Sequence, residues 1–168
     1  LSSEQDYALY KAFTNNEISY EQWLISLKEL YNLSENKHSK EDVLSYLTQY
    51  ELKSDAIETL NKIHAAGHDT LLLTGSFQMT ADAVAFELGI PDAIATNRCV
   101  FDEEGMLCDI ASAGNERQAK VVTLEKFCNE RNISKADCVV VGDGGNTLSL
   151  FTDFPYGIAF ETSSSEMR

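Results

Sequence analysis

Two polar side chains stand where apolar strands end, and together they could bind an anion and a cation. The run CVVVGD places Asp143 after the apolar residues 138–141, and LLLTG places Thr74 after residues 71–73. A hydroxyl beside backbone N–H groups and a helix N-terminus forms an anion site, so Thr74 and Gly75 predict one. A carboxylate would not join an anion site, and we therefore expect Asp143 to hold a divalent cation such as Mg²⁺.

Neighbouring residues extend this pattern. The glycines that flank Asp143 let the backbone turn sharply beneath an ion. Asn146 can bond its own turn or a neighbouring ligand, and it can cap the next helix. Lys120 continues the apolar stripe of its helix towards the N-terminal end, where the helix dipole disfavours a cation. An anion bound in the same crevice would reverse that preference, so Lys120 is the third candidate residue.

The elements that position these residues follow from the spacing of apolar side chains. Residues 1–53 contain only helix patterns, two of them capped by Ser19 and Ser39. From residue 54 onward, continuously apolar strands alternate with helices, which indicates a parallel sheet with helices on both faces. The sequence therefore predicts an α/β domain over 54–168 beside a helical unit over 1–53. LLLTG and CVVVGD should share one sheet, with their polar ends at one crevice.

Local signals predict two further features of the α/β region. A helix should follow Gly75 at once and end at Gly89. The segment RCVFDEEGMLCD should form a hairpin that turns at Glu104 and Gly105.

Composition excludes several classes of partner. A net charge of -14 over 168 residues should repel nucleic acid and anionic membrane surfaces. No apolar run approaches the roughly 18 residues that span a bilayer.

The histidines and cysteines show no metal-site pattern. The three histidines lack metal-ligand spacing. The cysteines have no CxxC spacing and are interpreted as small buried hydrophobes, which predicts a reducing, cytoplasmic compartment; they are Cys99, Cys108, Cys128 and Cys138.

Three segments, in this order, resemble motifs two, three and four of the haloacid dehalogenase (HAD) superfamily: LLLTGSF, KVVTLEKF and VVVGDGGNTL. The nearest branch is the phosphoserine phosphatase-like one, and NEISYEQWLISLKELYNL resembles its helical cap. The resemblance implies a HAD-like Rossmannoid parallel sheet with a small helical cap. It also implies a Mg²⁺-dependent phosphomonoesterase that acts on a small phosphorylated metabolite through an aspartyl-phosphate.

The resemblance also assigns roles to the candidate residues. Thr74 and the Gly75 N–H would hold phosphate oxygens, and Asn146 would support the phosphate-binding loop. Lys120 would neutralise both the phosphate and the attacking carboxylate, so that Lys120 and Thr74 are the catalytic residues of this chain. Asp143 would ligate Mg²⁺.

The sequence departs from the family pattern in three places. The nucleophile motif Asp-x-Asp-x-Thr is absent from residues 1–53, so we expect that motif and a central strand to lie upstream, and the chain alone to be inactive. Thr147 stands where the fourth motif usually has Asp, which weakens the metal site. The first arginine is Arg98, so the cap lacks the arginine that would recognise the carboxylate of phosphoserine.

Two alternatives remain open at this stage. The chain could be complete and act as a catalytically inactive, HAD-like binding or scaffold module. It could instead be a nucleotide-binding Rossmann-like domain that uses GDGGN as its loop, although G-x-G-x-x-G spacing is not met. Recovery of an upstream Asp-x-Asp after a strand would favour the enzyme.

Overall fold

The computed structural model describes residues 3–15, 17–30, 38–114, 116–143 and 147–160 and has the predicted α/β class. The helices are α1 Ser3–Thr14, α2 Tyr20–Leu30, α3 Lys40–Leu47, α4 Ala56–Ala65, α5 Gln78–Leu88, α6 Glu116–Arg131 and α7 Leu148–Asp153. The strands are β1 Leu71–Phe77, β2 Asp92–Phe101, β3 Leu107–Ser112, β4 Val139–Gly142 and β5 Tyr156–Ala159. No helix in these ranges is long and apolar enough to cross a membrane.

Reciprocal side-chain caps start two of the helices, as the sequence predicts. Before α2, the Ser19 hydroxyl accepts the Gln22 N–H at 3.1 Å, and the Gln22 side-chain oxygen accepts the Ser19 N–H at 2.9 Å. Ser39 and Asp42 make the same pair of bonds at the start of α3, both at 3.1 Å. These bonds satisfy N–H groups that a helix start otherwise leaves unpaired.

The predicted ends of α5 and of the hairpin are confirmed, whereas the predicted start of α5 is wrong. Gly89 follows α5 with φ 68°, a left-handed conformation that glycine adopts without strain. Gly105 turns the β2–β3 hairpin with φ 78°. The strand β1 continues past Gly75 to Phe77, and α5 begins only at Gln78. Strand β1 is therefore longer at its carboxyl end than the sequence predicts.

The strands form two hydrogen-bonded sheets, with orders β1-β2-β3 and β4-β5. The expectation that LLLTG and CVVVGD share one sheet is therefore wrong. Strand pairing among the described residues joins β1 to β2 and β4 to β5, and it does not join β1 to β4. β4 and β5 are parallel, with Val139 opposite Tyr156 and Gly142 opposite Ala159. α7 connects these two strands, as parallel pairing requires a crossover.

The chain divides into two compact units. Unit 1 comprises Leu1–Leu72 and Ser76–Gly114, and unit 2 comprises Leu73–Gly75 and Asn115–Arg168. The predicted boundary at residue 53 stays a prediction, and within unit 1 helical residues before it contact the β2–β3 hairpin.

Several contacts within unit 1 attach the helical residues to that hairpin. Leu107 donates its N–H to the His38 carbonyl at 2.8 Å, and Lys40 donates its N–H to the Gly105 carbonyl at 3.1 Å. Lys28 forms an ion pair with Asp109 at 2.5 Å. The ion pair holds the pKa of the Asp109 carboxyl below its ordinary value, chiefly through the hydrogen bond from Lys28.

Unit 2 has its own apolar core. Four buried side chains form its centre: Cys128 of α6, Val140 of β4, and Leu150 and Phe154 around α7. Leu73 of β1 packs against this centre, so the part of β1 that carries Thr74 and Gly75 is placed against the same core as α6 and β4.

Candidate functional site

Asp143 directly follows β4, and the packing of β4 fixes where that carboxylate stands. Val140 is 7% exposed and lies in the core of unit 2. The Gly142 carbonyl accepts the N–H of Phe160 at 3.1 Å, which fastens the last residue of β4 to the segment after β5. The Asp143 side chain is exposed. A short anchored strand thus presents a solvent-accessible carboxylate at its carboxyl end, where ligands of parallel sheets bind.

Lys120 lies in the first half of α6 and is only 5% exposed. Lysine is almost never so deeply buried unless a compensating charge or polar group is nearby. Its burial agrees with its position on the apolar stripe of the helix, because Leu124, four residues on, packs against the core of unit 2. The structure therefore holds an ammonium group within the unit that also carries Asp143.

Thr74 and Gly75 lie inside β1 and are half-buried. Both belong to unit 2, together with Lys120 and Asp143. The helix N-terminus expected immediately after Gly75 is absent there, because β1 continues to Phe77. An anion site at this point would therefore rest on the Thr74 hydroxyl and on backbone N–H groups of a strand.

One candidate residue, Asn146, lies outside the described residues. Its predicted place in the phosphate-binding loop stays a prediction.

Thr147, the departure from the family pattern, has a packing role that the sequence did not reveal. It is 8% exposed, and its side chain lies directly against the backbone of Gly142. A Cβ added to Gly142 would stand 2.6 Å from the Thr147 Cγ2 and 2.9 Å from its Oγ1. Glycine at position 142 is thus required by the close approach of Thr147, immediately before the residue that carries the carboxylate.

This contact predicts the result of a substitution. Gly142→Ala should lower the free energy of unfolding by about 1–3 kcal/mol, because the new methyl group overpacks against Thr147. Chemical denaturation measures the loss. In a Thr147→Ala background the same change should cost less, since the two nearest atoms are gone. An equal cost in both backgrounds would show that the contact does not set the requirement for glycine.

Asp143 fits one particular mode of Mg²⁺ binding. Within the described ranges, no group of three or more His, Cys, Asp or Glu residues could hold a metal ion. Mg²⁺ is usually bound by one or two carboxylates together with water and substrate phosphate oxygens, not by a complete protein cage. A single exposed carboxylate suits that mode, and Asp143 is the residue that would hold the ion.

A polar cluster in unit 1 was missed by the sequence analysis. The Tyr20 hydroxyl donates to the Asn97 side-chain oxygen at 3.1 Å and is also hydrogen-bonded to the Ser112 hydroxyl. Asn97 is 7% exposed. The ring of Tyr20 stacks near those of Phe13 and Trp23, with centroids 5.4–5.6 Å apart. The sequence contained one sign of this cluster, which is a polar asparagine at the end of the apolar strand segment DAIATN.

Comparison with known proteins decides the family. The family model described as haloacid dehalogenase-like hydrolase matches residues 5–150, a span that includes all five candidate residues. The chain belongs to the haloacid dehalogenase-like hydrolases. The resemblance seen in the three sequence motifs is therefore confirmed.

Several phosphoserine phosphatases are similar to the chain. The one from Methanocaldococcus jannaschii is 30% identical over 105 residues, which cover 62% of this chain and 49% of that protein. The one from Saccharomyces cerevisiae is 25% identical over 158 residues, covering 94% of this chain and 50% of that protein. The chain thus spans about half the length of these curated relatives.

Solved structures agree with the HAD fold. A phosphoserine phosphatase solved as a phospho-aspartyl intermediate analogue has a TM-score of 0.74 and 26% identity, over 95% of this chain and 74% of that one. A substrate-bound phosphoserine phosphatase complex has the same TM-score at 24% identity, with the same coverage of both chains, and shows the fold alone.

Proposed function

We propose that the chain carries the phosphate-binding and metal-binding part of a Mg²⁺-dependent phosphomonoesterase of the cytoplasm. A nucleophilic aspartate upstream of residue 1 would attack phosphorus and expel the alcohol of the substrate. Water would then hydrolyse the aspartyl-phosphate and release inorganic phosphate. Thr74, the Gly75 N–H and Lys120 would bind the phosphate group, Asn146 would support the loop, and Asp143 would hold the metal.

The deep burial of Lys120 is the observation that carries this proposal. Lys120 is 5% exposed and has an interaction partner in this structure, so its side chain is held in place before substrate binds. A preformed cation that faces the developing negative charge of a phosphate group would stabilise the transition state without reorganisation. The placement of Thr74, Gly75 and Asp143 in the same compact unit supports this role.

Asp143 suits the metal because it is exposed and follows an anchored strand. When bound, Mg²⁺ would neutralise charge on the phosphate and orient it. Thr147 contributes no carboxylate beside it, unlike the aspartate that usually stands there. We therefore expect this site to depend on Asp143 more than a site with two carboxylates in this loop would.

We propose that the segment with the nucleophile lies upstream of residue 1 and supplies a further strand. Its aspartate would stand at the carboxyl end of that strand, where ligands of parallel sheets bind.

The substrate is proposed to be a small phosphate ester without a carboxylate beside the ester. Residues 1–97 contain no arginine, and Arg98 is exposed. Bidentate recognition of a carboxylate relies on arginine. Phosphoserine should therefore be a poor substrate even though the relatives are phosphoserine phosphatases.

A hydrolysis assay on two proteins tests the proposal. One is the 168-residue chain, and the other is the gene product with its upstream sequence. The chain alone should show no turnover of p-nitrophenyl phosphate or of a panel of sugar and polyol phosphates. The longer product should hydrolyse them, should require Mg²⁺, and should act on phosphoserine more slowly.

Two other outcomes of this assay would contradict the proposal. Turnover that persists in the presence of a chelator would show that hydrolysis does not require the metal. A longer product that binds phosphate but hydrolyses nothing would favour the catalytically inactive binding module instead.

A further inference from the structure

Two of the cysteines meet in the core of unit 2. The Sγ of Cys128, in α6, lies 3.6 Å from the Sγ of Cys138, the residue before β4. All four cysteines of the chain are free thiols, so the two sulfur atoms are hydrogen-bonded and not covalently joined. The sequence pattern indicates two small hydrophobes, and the proximity of their sulfur atoms gives them a chemical role as well.

The local backbone holds this thiol pair in place. The Ile133 N–H donates to the Cys128 carbonyl at 2.8 Å, and the Cys138 N–H donates to the Lys135 carbonyl at 3.2 Å. A 3-10 helix, Lys135–Asp137, lies between these two bonds. The thiol of Cys138 also donates to the Ser134 carbonyl at 3.5 Å. The short, hydrogen-bonded segment between the two cysteines thus keeps their sulfur atoms close. Each thiol therefore has a high effective concentration for reaction with the other.

We propose that Cys128 and Cys138 form a dithiol site that hydrogen peroxide converts into an intramolecular disulfide. In the first step the Cys138 sulfur attacks a peroxide oxygen, the O–O bond breaks, and one water leaves. In the second step the Cys128 sulfur attacks the resulting sulfenic acid at its sulfur, and the S–O bond breaks to release a second water. The two thiols lose two electrons and two protons, and one hydrogen peroxide becomes two waters.

Burial sets the order of these steps. Cys128 is 3% exposed and belongs to the core, whereas Cys138 is partly exposed. The peroxide therefore reaches Cys138 first, and Cys128 resolves the sulfenic acid from inside the core. The crosslink would join α6, which carries Lys120, to the residue before β4, the strand that Asp143 follows.

The surroundings of Cys138 make the first step slow at neutral pH. Burial raises the pKa of the Cys138 thiol to about 11, with help from the hydrogen bond and charge of Cys128 and from the charge of Asp137. Lys135 has an electrostatic contact with Cys128 and is itself paired with Glu125. Because the thiolate is the nucleophile, the oxidation rate should rise about tenfold per pH unit over the range in which the protein stays folded.

Peptide mapping of the folded 168-residue chain tests the site. The protein is treated with hydrogen peroxide, blocked with iodoacetamide, digested without reductant and analysed by mass spectrometry. The expected product is a peptide pair joined through Cys128 and Cys138 that has lost the mass of two hydrogen atoms. Cys99 is an internal control, because burial raises its pKa to about 11 as well, and it should stay outside this linkage.

Two variants separate the proposed chemistry from general oxidation. In Cys128→Ala, which keeps a small apolar side chain in the core, Cys138 should accumulate as sulfenic acid that dimedone traps. In Cys138→Ser, Cys128 should remain reduced. The proposal is overturned if Cys128 and Cys138 both stay free after the exposed Cys108 is fully oxidised, or if the linkage forms only in denatured protein.

Discussion

Lys120→Met is expected to lower kcat/KM of the full-length gene product by about 10²–10³, because one preformed charge contact to the phosphate is lost. Methionine fills a similar volume without a charge, but Lys120 has an interaction partner in this structure, and removal of one member of a buried pair is destabilising. The thermal midpoint should therefore fall, and the loss in kcat/KM should appear at temperatures at which both the variant and the parent are fully folded. Steady-state hydrolysis of p-nitrophenyl phosphate and a thermal unfolding scan measure the two quantities.

The same helix provides a matched control. Lys126 lies in α6, but its side chain is 73% exposed and pairs with Glu130 at 3.8 Å. Lys126→Met removes the same charge from the same helix and should leave kcat/KM unchanged. Phosphate binding to the 168-residue chain, measured by calorimetry, gives a second readout that needs no nucleophile. Equal phosphate affinity in Lys120→Met and Lys126→Met would show that Lys120 does not contact the phosphate.

The parts of the fold that depend on sequence neighbours could be predicted, and the parts that depend on distant partners could not. The caps at Ser19 and Ser39, the end of α5 at Gly89 and the turn at Gly105 are each set within about four residues. The bond from Tyr20 to Asn97 joins positions 77 residues apart, and no local pattern encodes it. The contact between Cys128 and Cys138 is closer in sequence but depends on how α6 packs against β4.

Strand pairing explains the largest error. Alternating strands and helices predict the α/β class, because continuously apolar strands need cover on both faces. They do not specify which strands are neighbours, because two strands that are adjacent in a sheet can be far apart in the sequence. LLLTG and CVVVGD were expected in one sheet and lie in two. At the candidate site, Thr74, Lys120 and Asp143 could be selected by residue type and position, but the packing of Thr147 on Gly142 required the structure.

Asp143→Asn should reduce kcat/KM of the full-length gene product by about 10²-fold or more, since metal stabilisation of the transition state is worth several kcal/mol. Asparagine keeps the size of the side chain and can still offer one oxygen, but it lacks the negative charge that holds Mg²⁺. The residual activity should need a much higher Mg²⁺ concentration for half-saturation. With Thr147 at the position where a second carboxylate usually stands, little else in the described part of this loop replaces that charge.

A Mg²⁺ titration followed by calorimetry on the 168-residue chain in the presence of phosphate separates metal binding from turnover. Asp143→Asn should abolish the binding heat. Asp153→Asn is the matched control, because Asp153 ends α7 in the same unit and is exposed, and its substitution should leave the Mg²⁺ affinity unchanged. Unaltered Mg²⁺ affinity in Asp143→Asn would show that the metal is held elsewhere. Weakened affinity in both variants would show that the effect reflects the net charge of -14, because general attraction of a cation by an acidic protein does not distinguish two exposed carboxylates.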